Sequence, residues 1–355
     1  MSPRVARLVA VLLIVLGGVG CEGCSPLYVL RGAWQETRIL ARREPIEEVL
    51  AAGVLAPEQR QRLMLVPEVR RYARDVLGFD VGGAYASFAE VPPGALVWVV
   101  SAAEKTRLRA RTWWFPIVGS VPYKGFFDAA DARALATELE AAGWDTWVRP
   151  TQAFSTLGWF DDPVLSSWLE RDRVELADLV LHELVHRDLW IEGQVPFNES
   201  FATFVAGHAT IDFFARRARV SAPVPAGSDE ASTDGERETA QARSAWRTTL
   251  EAASRLERSV KALTRLYAAG ERGEIAAAEI LRKREVILRQ LDPTGRTNNA
   301  VILARRDYLR DLAGFECALA AADGSLSERI GQLAARARAA SDPWSTLAPC
   351  PGADG

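Results

Sequence analysis

The segment Leu181-His182-Glu183-Leu184-Val185-His186 holds the side chains best suited to chemistry in this chain. On a helix, residues four apart lie one turn above each other, so His182 and His186 present their imidazoles on one face at a separation that one Zn²⁺ bridges. Glu183 lies beside the first histidine. Its carboxylate reaches the fourth coordination position, takes a proton from a water there and later returns it to a leaving amine. The chain is poor in histidine, and two of its three histidines fall in this motif.

A catalytic zinc needs a third protein ligand and one open position. Phe197-Asn198-Glu199-Ser200-Phe201-Ala202 supplies that ligand best, because after a break at Gly193 to Pro196 the chain re-enters a helix that runs back across the first and brings Glu199 to both imidazoles. Asn198 is placed to cap or orient the turn. The competing ligands are His208, Glu192 and Asp188. Asp188 follows the histidine pair on the same helix, and His208 is about 13 Å along the second helix from Glu199, which makes it a surface or core-edge histidine. Asp178, one turn before His182, and Thr203, one turn after Glu199, read either as outer supports of the ligands or as solvated and capping groups.

The elements that position these residues belong to an ordinary globular composition of 355 residues, 48% hydrophobic and 25% charged, which excludes global disorder. With 43 Lys and Arg against 46 Asp and Glu, and no basic stripe interleaved with aromatics, nucleic acid is excluded as an expected partner. Arg4 and Arg7 precede an apolar run from Leu8 to Leu16 and then small residues up to Cys21, which reads as an export signal over 1–20, too short to span a bilayer. A cysteine after small residues resembles the bacterial lipoprotein signal. It implies lipidation at Cys21, with Cys24 the alternative, and hence an exported protein held in the cell envelope by an N-terminal lipid anchor, on the periplasmic side. An ordinary cleaved secretory signal is the competing reading. Cys317 and Cys350 either pair in that oxidising compartment or stay as two free thiols.

Residues 21–90 read as a helical layer, with helices over Leu27 to Ala41, Glu44 to Ala52 and Pro57 to Leu77. Residues 91–220 read as a small mixed sheet and the metal-binding helices. Strands are expected at Ala95 to Val100, within Thr112 to Phe127 and at Trp144 to Val148. Helices are expected at Asp128 to Ala142, Asp162 to Trp190 in two pieces, and Asn198 to Ala218. Residues 221–295 read as a mobile polar loop over Ser221 to Glu236 and an antiparallel helical hairpin, and 296–355 as helices over Asn298 to Ala321 and Leu326 to Ala340 with an irregular tail. The fold class is α+β, mainly helical, with an inserted hairpin.

The HELVH and NESFATFV segments resemble the zinc-peptidase clan in which two histidines and a downstream glutamate bind the metal. Together with Cys24-Ser25-Pro26-Leu27-Tyr28, Thr112-Trp113-Trp114-Phe115, Val121-Pro122-Tyr123-Lys124-Gly125, the segment from Ser155 to Pro163, and Asn298-Asn299-Ala300, the chain is similar to the bacterial family called putative aminopeptidases. The resemblance implies a thermolysin-like catalytic core, Zn²⁺ as cofactor, and peptides as substrate. It also implies an oxyanion donor, a tyrosine or histidine contributed after the metal helices, for which Tyr308 is the first candidate; Tyr123, earlier in the chain, is the second, and either one alone also reads as a core-edge tyrosine. It further implies a substrate-aligning edge just upstream, where Gly158 permits close backbone approach and Trp159 lines a pocket. The alternative there is a packed turn. Ala206 stands where relatives are expected to carry an acid, and no counterpart is evident of the glutamate by which large aminopeptidases hold a free N-terminal amine. Two other functions remain open: an endopeptidase or maturation protease of an envelope protein, and a non-catalytic lipoprotein that binds or scaffolds through the Trp246 to Leu291 hairpin. The hairpin itself is expected to be structural or a lid over the cleft.

Overall fold

The computed structural model describes residues 40–92, 97–115, 119–151, 161–221 and 230–347. Cys21, Cys24, Gly158, Trp159 and Cys350, with most of the helix expected from Leu27 to Ala41, lie outside the described residues. The described chain is mainly helical, with three small sheets.

The first strand, β1 (Glu44–Pro45), runs into α1 (Ile46–Ala52) and α2 (Pro57–Tyr72). Residues 44 and 45, expected to open the helix, instead pair antiparallel with Phe88 and Ser87 of β2 (Ser87–Ala89), a long-range bond that local pattern does not register. Pro57 stands at the first helical position of α2, where no backbone N–H is needed. Beyond α2 come β3 (Val97–Glu104), β4 (Trp113–Phe115), β5 (Gly119–Val121), β6 (Tyr123–Phe126), α3 (Ala129–Ala141) and β7 (Trp144–Thr151). β3 is the centre of an antiparallel sheet with β6 and β7 at its edges, and β4 pairs with β5. Asp128 caps α3 by accepting the Ala130 N–H at 2.6 Å, and the small residues Ala132 and Ala136, with Leu139, let α3 lie against Val100, Ala102 and Trp113.

β8 (Val164–Leu165) pairs parallel with β2, and a short 3₁₀ turn over Ser166–Glu170 leads into α4 (Arg173–Asp188). The first piece of the expected 162–190 helix is therefore a strand and a 3₁₀ turn. Asp172 sets the true start: its carboxylate accepts the N–H groups of Val174 and Glu175, both at 2.9 Å, and the Glu175 side chain returns to the Asp172 N–H at 3.4 Å. The next helix, α5 (Val195–Ser221), crosses α4.

The hairpin consists of α6 (Glu230–Glu271) and α7 (Ala277–Leu291), followed by α8 (Asn299–Leu309), α9 (Leu312–Ala320) and α10 (Leu326–Ala339). α6 begins at Glu230, inside the stretch to Glu236 that was expected to be loop. Gly235 there serves close packing rather than a turn, since a Cβ on it would lie 2.8 Å from Ala218 Cα of α5. The helix expected from Asn298 to Ala321 is broken after Leu309. The Arg310 N–H goes to Ser200 Oγ at 3.1 Å, and Asp311, at φ +51°, caps α9 by accepting the Gly314 N–H at 3.2 Å. Cys317 of α9 is disulfide-bonded, and its partner lies outside the described residues.

The main core joins α2, α4, α5, α9 and α10, with Trp168, Phe197, Phe201, Phe204, Phe214 and Phe315 fully buried. At about 1.5–3 kcal/mol for each such side chain, this aromatic wedge is what holds α4 and α5 face to face. A second cluster packs Leu256, Val260, Leu263 and Tyr267 of α6 against Ile280 and Leu288 of α7 and Ile302 of α8. A buried polar knot fastens the hairpin to the sheet. Arg284 pairs with Asp145 of β7, Asp145 also accepts the Asn299 N–H at 2.9 Å, and the Tyr267 hydroxyl donates to Asn299 Oδ1 at 3.0 Å. Among the described residues no helix is long and apolar enough to cross a membrane.

Candidate metal centre

His182 and His186 lie in the last two turns of α4, whose Val180, Leu181, Leu184 and Val185 are buried in the main core and so fix which face the imidazoles occupy. After α4 the chain reverses through Gly193, at φ +75°, a conformation that favours glycine. Asn198 holds this turn as the sequence suggested. It is buried, donates from Nδ2 to the Ile191 carbonyl at 2.9 Å, and accepts the Ile191 N–H on Oδ1 at 3.0 Å. That double bond aims the neighbouring Glu199 back at α4.

His182 Nε2 lies 3.1 Å from His186 Nε2 and 3.2 Å from Glu199 Oε2, and His186 Nε2 lies 3.3 Å from the same oxygen. Two imidazole nitrogens turned on each other and on one carboxylate oxygen need a shared proton or a cation between them. Tetrahedral zinc with bonds of about 2.0–2.1 Å separates its ligands by roughly 3.3 Å, which is the spacing of this triangle. The three residues therefore fit a metal ion, and they form the one such group among the described residues. Glu192 is exposed, the Asp188 carboxylate is 3.8 Å from Arg338, and His208 bonds Glu316 at 2.7 Å on the far side of α5, so none of the competing ligands joins them. His186 Nδ1 is buried without a hydrogen-bond partner among the described residues.

Burial would raise the Glu199 carboxyl, but its bonds to His182 and His186 outweigh this and hold it down at about 2. Burial pushes Glu183 up, opposed by the two histidines, so this carboxyl, left outside the triangle, is a better proton acceptor than an ordinary glutamate. For His182 burial works against the charged form, yet the Glu199 bond and the charges of Glu183, Glu199 and Asp178 raise it. Asp178 is pushed up to about 6 by burial and accepts Thr210 Oγ1 at 3.5 Å.

Tyr308 of α8 stacks on His182, with ring centroids 6.0 Å apart and planes at 26°, and Trp190 meets the His186 ring edge-on at 5.6 Å. Burial, then the Glu199 charge, raises the hydroxyls of both Tyr308 and Tyr123, so each stays a protonated donor. Tyr123 opens the edge strand β6. The fold thus sets Tyr308 against His182 and places Tyr123 where the Glu199 charge reaches its hydroxyl, while Gly158 and Trp159 fall outside the described residues.

Three site residues escape sequence reasoning. Ser200, next to Glu199, donates to the Asp307 carbonyl at 2.7 Å and accepts the Arg310 N–H at 3.1 Å, which ties the end of α8 to the metal helix. Asp307, pushed up to about 7 by burial and then by Glu199, and Arg149 of β7, whose charge bears on Asp307 and both tyrosines, complete the surroundings. Nothing in the spacing of a lone Ser, Asp or Arg marks it.

Two histidines one turn apart, a glutamate from a crossing helix and a spare carboxylate beside them define the site of a metal-dependent hydrolase. The chain belongs to the family described as "putative aminopeptidase", whose sequence profile matches residues 27–342, nearly the whole chain. That membership and the His-His-Glu group together support metal-dependent peptidase function. No curated protein and no solved structure matches the chain.

Proposed function

We propose that this chain is a zinc-dependent peptidase with a thermolysin-like core, acting as an aminopeptidase on peptides in the cell envelope. The observation that carries the reading is the triangle of His182 Nε2, His186 Nε2 and Glu199 Oε2 with sides of 3.1–3.3 Å, set next to a second carboxyl, raised by burial, at Glu183. Bound zinc would supply Lewis-acid polarisation of the scissile carbonyl and make water acidic enough to lose a proton near neutral pH.

The protein's own groups do the rest. Glu183 accepts the proton of the attacking water and passes it to the departing amine. Tyr308, kept protonated by burial and by the nearby Glu199 charge, donates its hydroxyl to the oxyanion that forms on the carbonyl, with Tyr123 in the same field. Trp190, 46% exposed beside His186, offers an apolar wall for a substrate side chain, and the segment with Gly158 and Trp159 aligns the peptide backbone. In this reading Cys21 carries the lipid that anchors the exported protein.

The test is elemental analysis of the purified protein joined to digestion of a peptide library. One zinc per chain and cleavage are expected, with both lost in His182→Ala/His186→Ala. Stoichiometric zinc in that double variant would place the metal elsewhere, and a zinc-loaded wild type that cuts no peptide would remove the peptidase reading.

A further inference from the structure

Asp307 carries an acid into the site that no bond to a described residue accounts for. It precedes Tyr308, whose ring lies on His182, and its own carbonyl is pinned by Ser200, the neighbour of Glu199, so its backbone is held beside the metal group. Three arginines lie close enough for their charges to bear on it, and none pairs with it. Arg306 is turned to Glu257 at 3.4 Å, Arg310 lies over the Trp344 ring at 4.0 Å, and Arg149 lies over the Trp147 ring at 5.3 Å. The Asp307 carboxylate makes no hydrogen bond or ion pair with any described residue, although the side chain is partly buried. A partly desolvated carboxylate with no partner among the described residues is costly, and a cation brought by a bound substrate would offset that cost.

Resting on the peptidase reading, we infer that Asp307 is the residue that receives the free α-ammonium group of a peptide substrate and so restricts cleavage to the N-terminal end. A peptide whose first carbonyl lies at the metal group must place its ammonium within one residue's length of that group. Every peptide with a free N-terminus carries this cation, whatever its side chains, and an acetylated N-terminus does not. Asp307 is thus a specificity residue, separate from the groups that move protons.

The experiment uses the zinc-loaded Glu183→Gln protein, whose turnover is expected to be slowed about 10²- to 10⁴-fold, titrated calorimetrically with trialanine amide and with its N-acetyl form. The free amine is expected to bind about 10- to 100-fold more tightly, the range of one charge-assisted hydrogen bond. Asp307→Asn in the same background should abolish that preference while leaving affinity for the N-acetyl peptide and zinc content unchanged. Asp307→Glu should retain part of the preference. Equal weakening of both peptides by Asp307→Asn, an undiminished preference, or no preference to begin with would each overturn the assignment while leaving the peptidase reading intact. Failure of either peptide to bind, joined to failure of the zinc-loaded wild type to cleave any peptide, would overturn both.

Discussion

The Ser200 hydroxyl donates to the main-chain carbonyl of Asp307 at 2.7 Å, across 107 residues of sequence. The same oxygen accepts the Arg310 N–H at 3.1 Å, so one side chain closes the end of α8 and fixes Tyr308 against His182. Ser200 is fully buried, and no water can replace it easily. Ser200→Ala is therefore expected to cost about 1–3 kcal/mol of stability, the usual penalty for stranding a buried donor and acceptor. It should also lower kcat more than zinc content, because Tyr308 loses its hold. Urea unfolding with parallel kinetics and metal analysis checks this, and an unchanged kcat would show that Tyr308 is positioned by packing alone.

Glu183 lies outside the ligand triangle, which separates its function from metal binding. Glu183→Gln should keep one zinc per chain and the wild-type melting behaviour but lose about 10²- to 10⁴-fold in turnover, since the amide cannot accept a proton. Steady-state kinetics on any peptide found in the library digest reads this directly. Turnover equal to wild type would give the base to another residue.

Arg284 and Asp145 are both buried, and they join the hairpin to the sheet. Breaking such a pair leaves a charge buried alone, at a cost of about 3–5 kcal/mol. Asp145→Ala should thus destabilise the protein by that order in equilibrium unfolding. It should also raise amide hydrogen exchange in α7 and the first turn of α8, whose Asn299 N–H loses its acceptor. If exchange rises uniformly over the chain instead, the knot belongs to the global core and does not govern the hairpin. A hairpin that acts as a lid has to hinge without parting this pair, so motion is expected at the tip around Gly273.

His208 and Trp246 Nε1 both bond Glu316, at 2.7 and 2.9 Å, joining α5, α6 and α9. Burial favours the neutral acid, but these two bonds outweigh it and hold Glu316 below the ordinary 4.5. A carboxyl depressed in the folded state contributes stability that is present above its unfolded value and is lost as pH falls through the folded one. Glu316→Gln should therefore narrow the stability difference between pH 7 and pH 4, measured by thermal unfolding across that range. An identical pH profile in the variant would show that Glu316 contributes nothing to acid sensitivity.

What the sequence determined by itself was local. The i, i+4 histidines, Glu183 between them, the Asn198 turn and the return of Glu199 are all set within about 20 residues, where backbone periodicity and turn chemistry decide direction. Helical pattern likewise marked α2, α3 and the hairpin, since an apolar stripe of period 3.6 survives whatever it packs against. Tertiary structure decided what arrives from far along the chain. Glu44 and Pro45 became a strand because Phe88 and Ser87 were there to pair with them. The expected helix over Asn298 to Ala321 broke because Ser200 took the Arg310 N–H, and that break stations Asp307 and Tyr308 at the metal group. Gly235, a turn signal in isolation, became a helix contact against Ala218. A side chain's partner 100 residues away leaves no periodic trace in sequence, because the pairing energy exists only once the aromatic core has brought the two segments together.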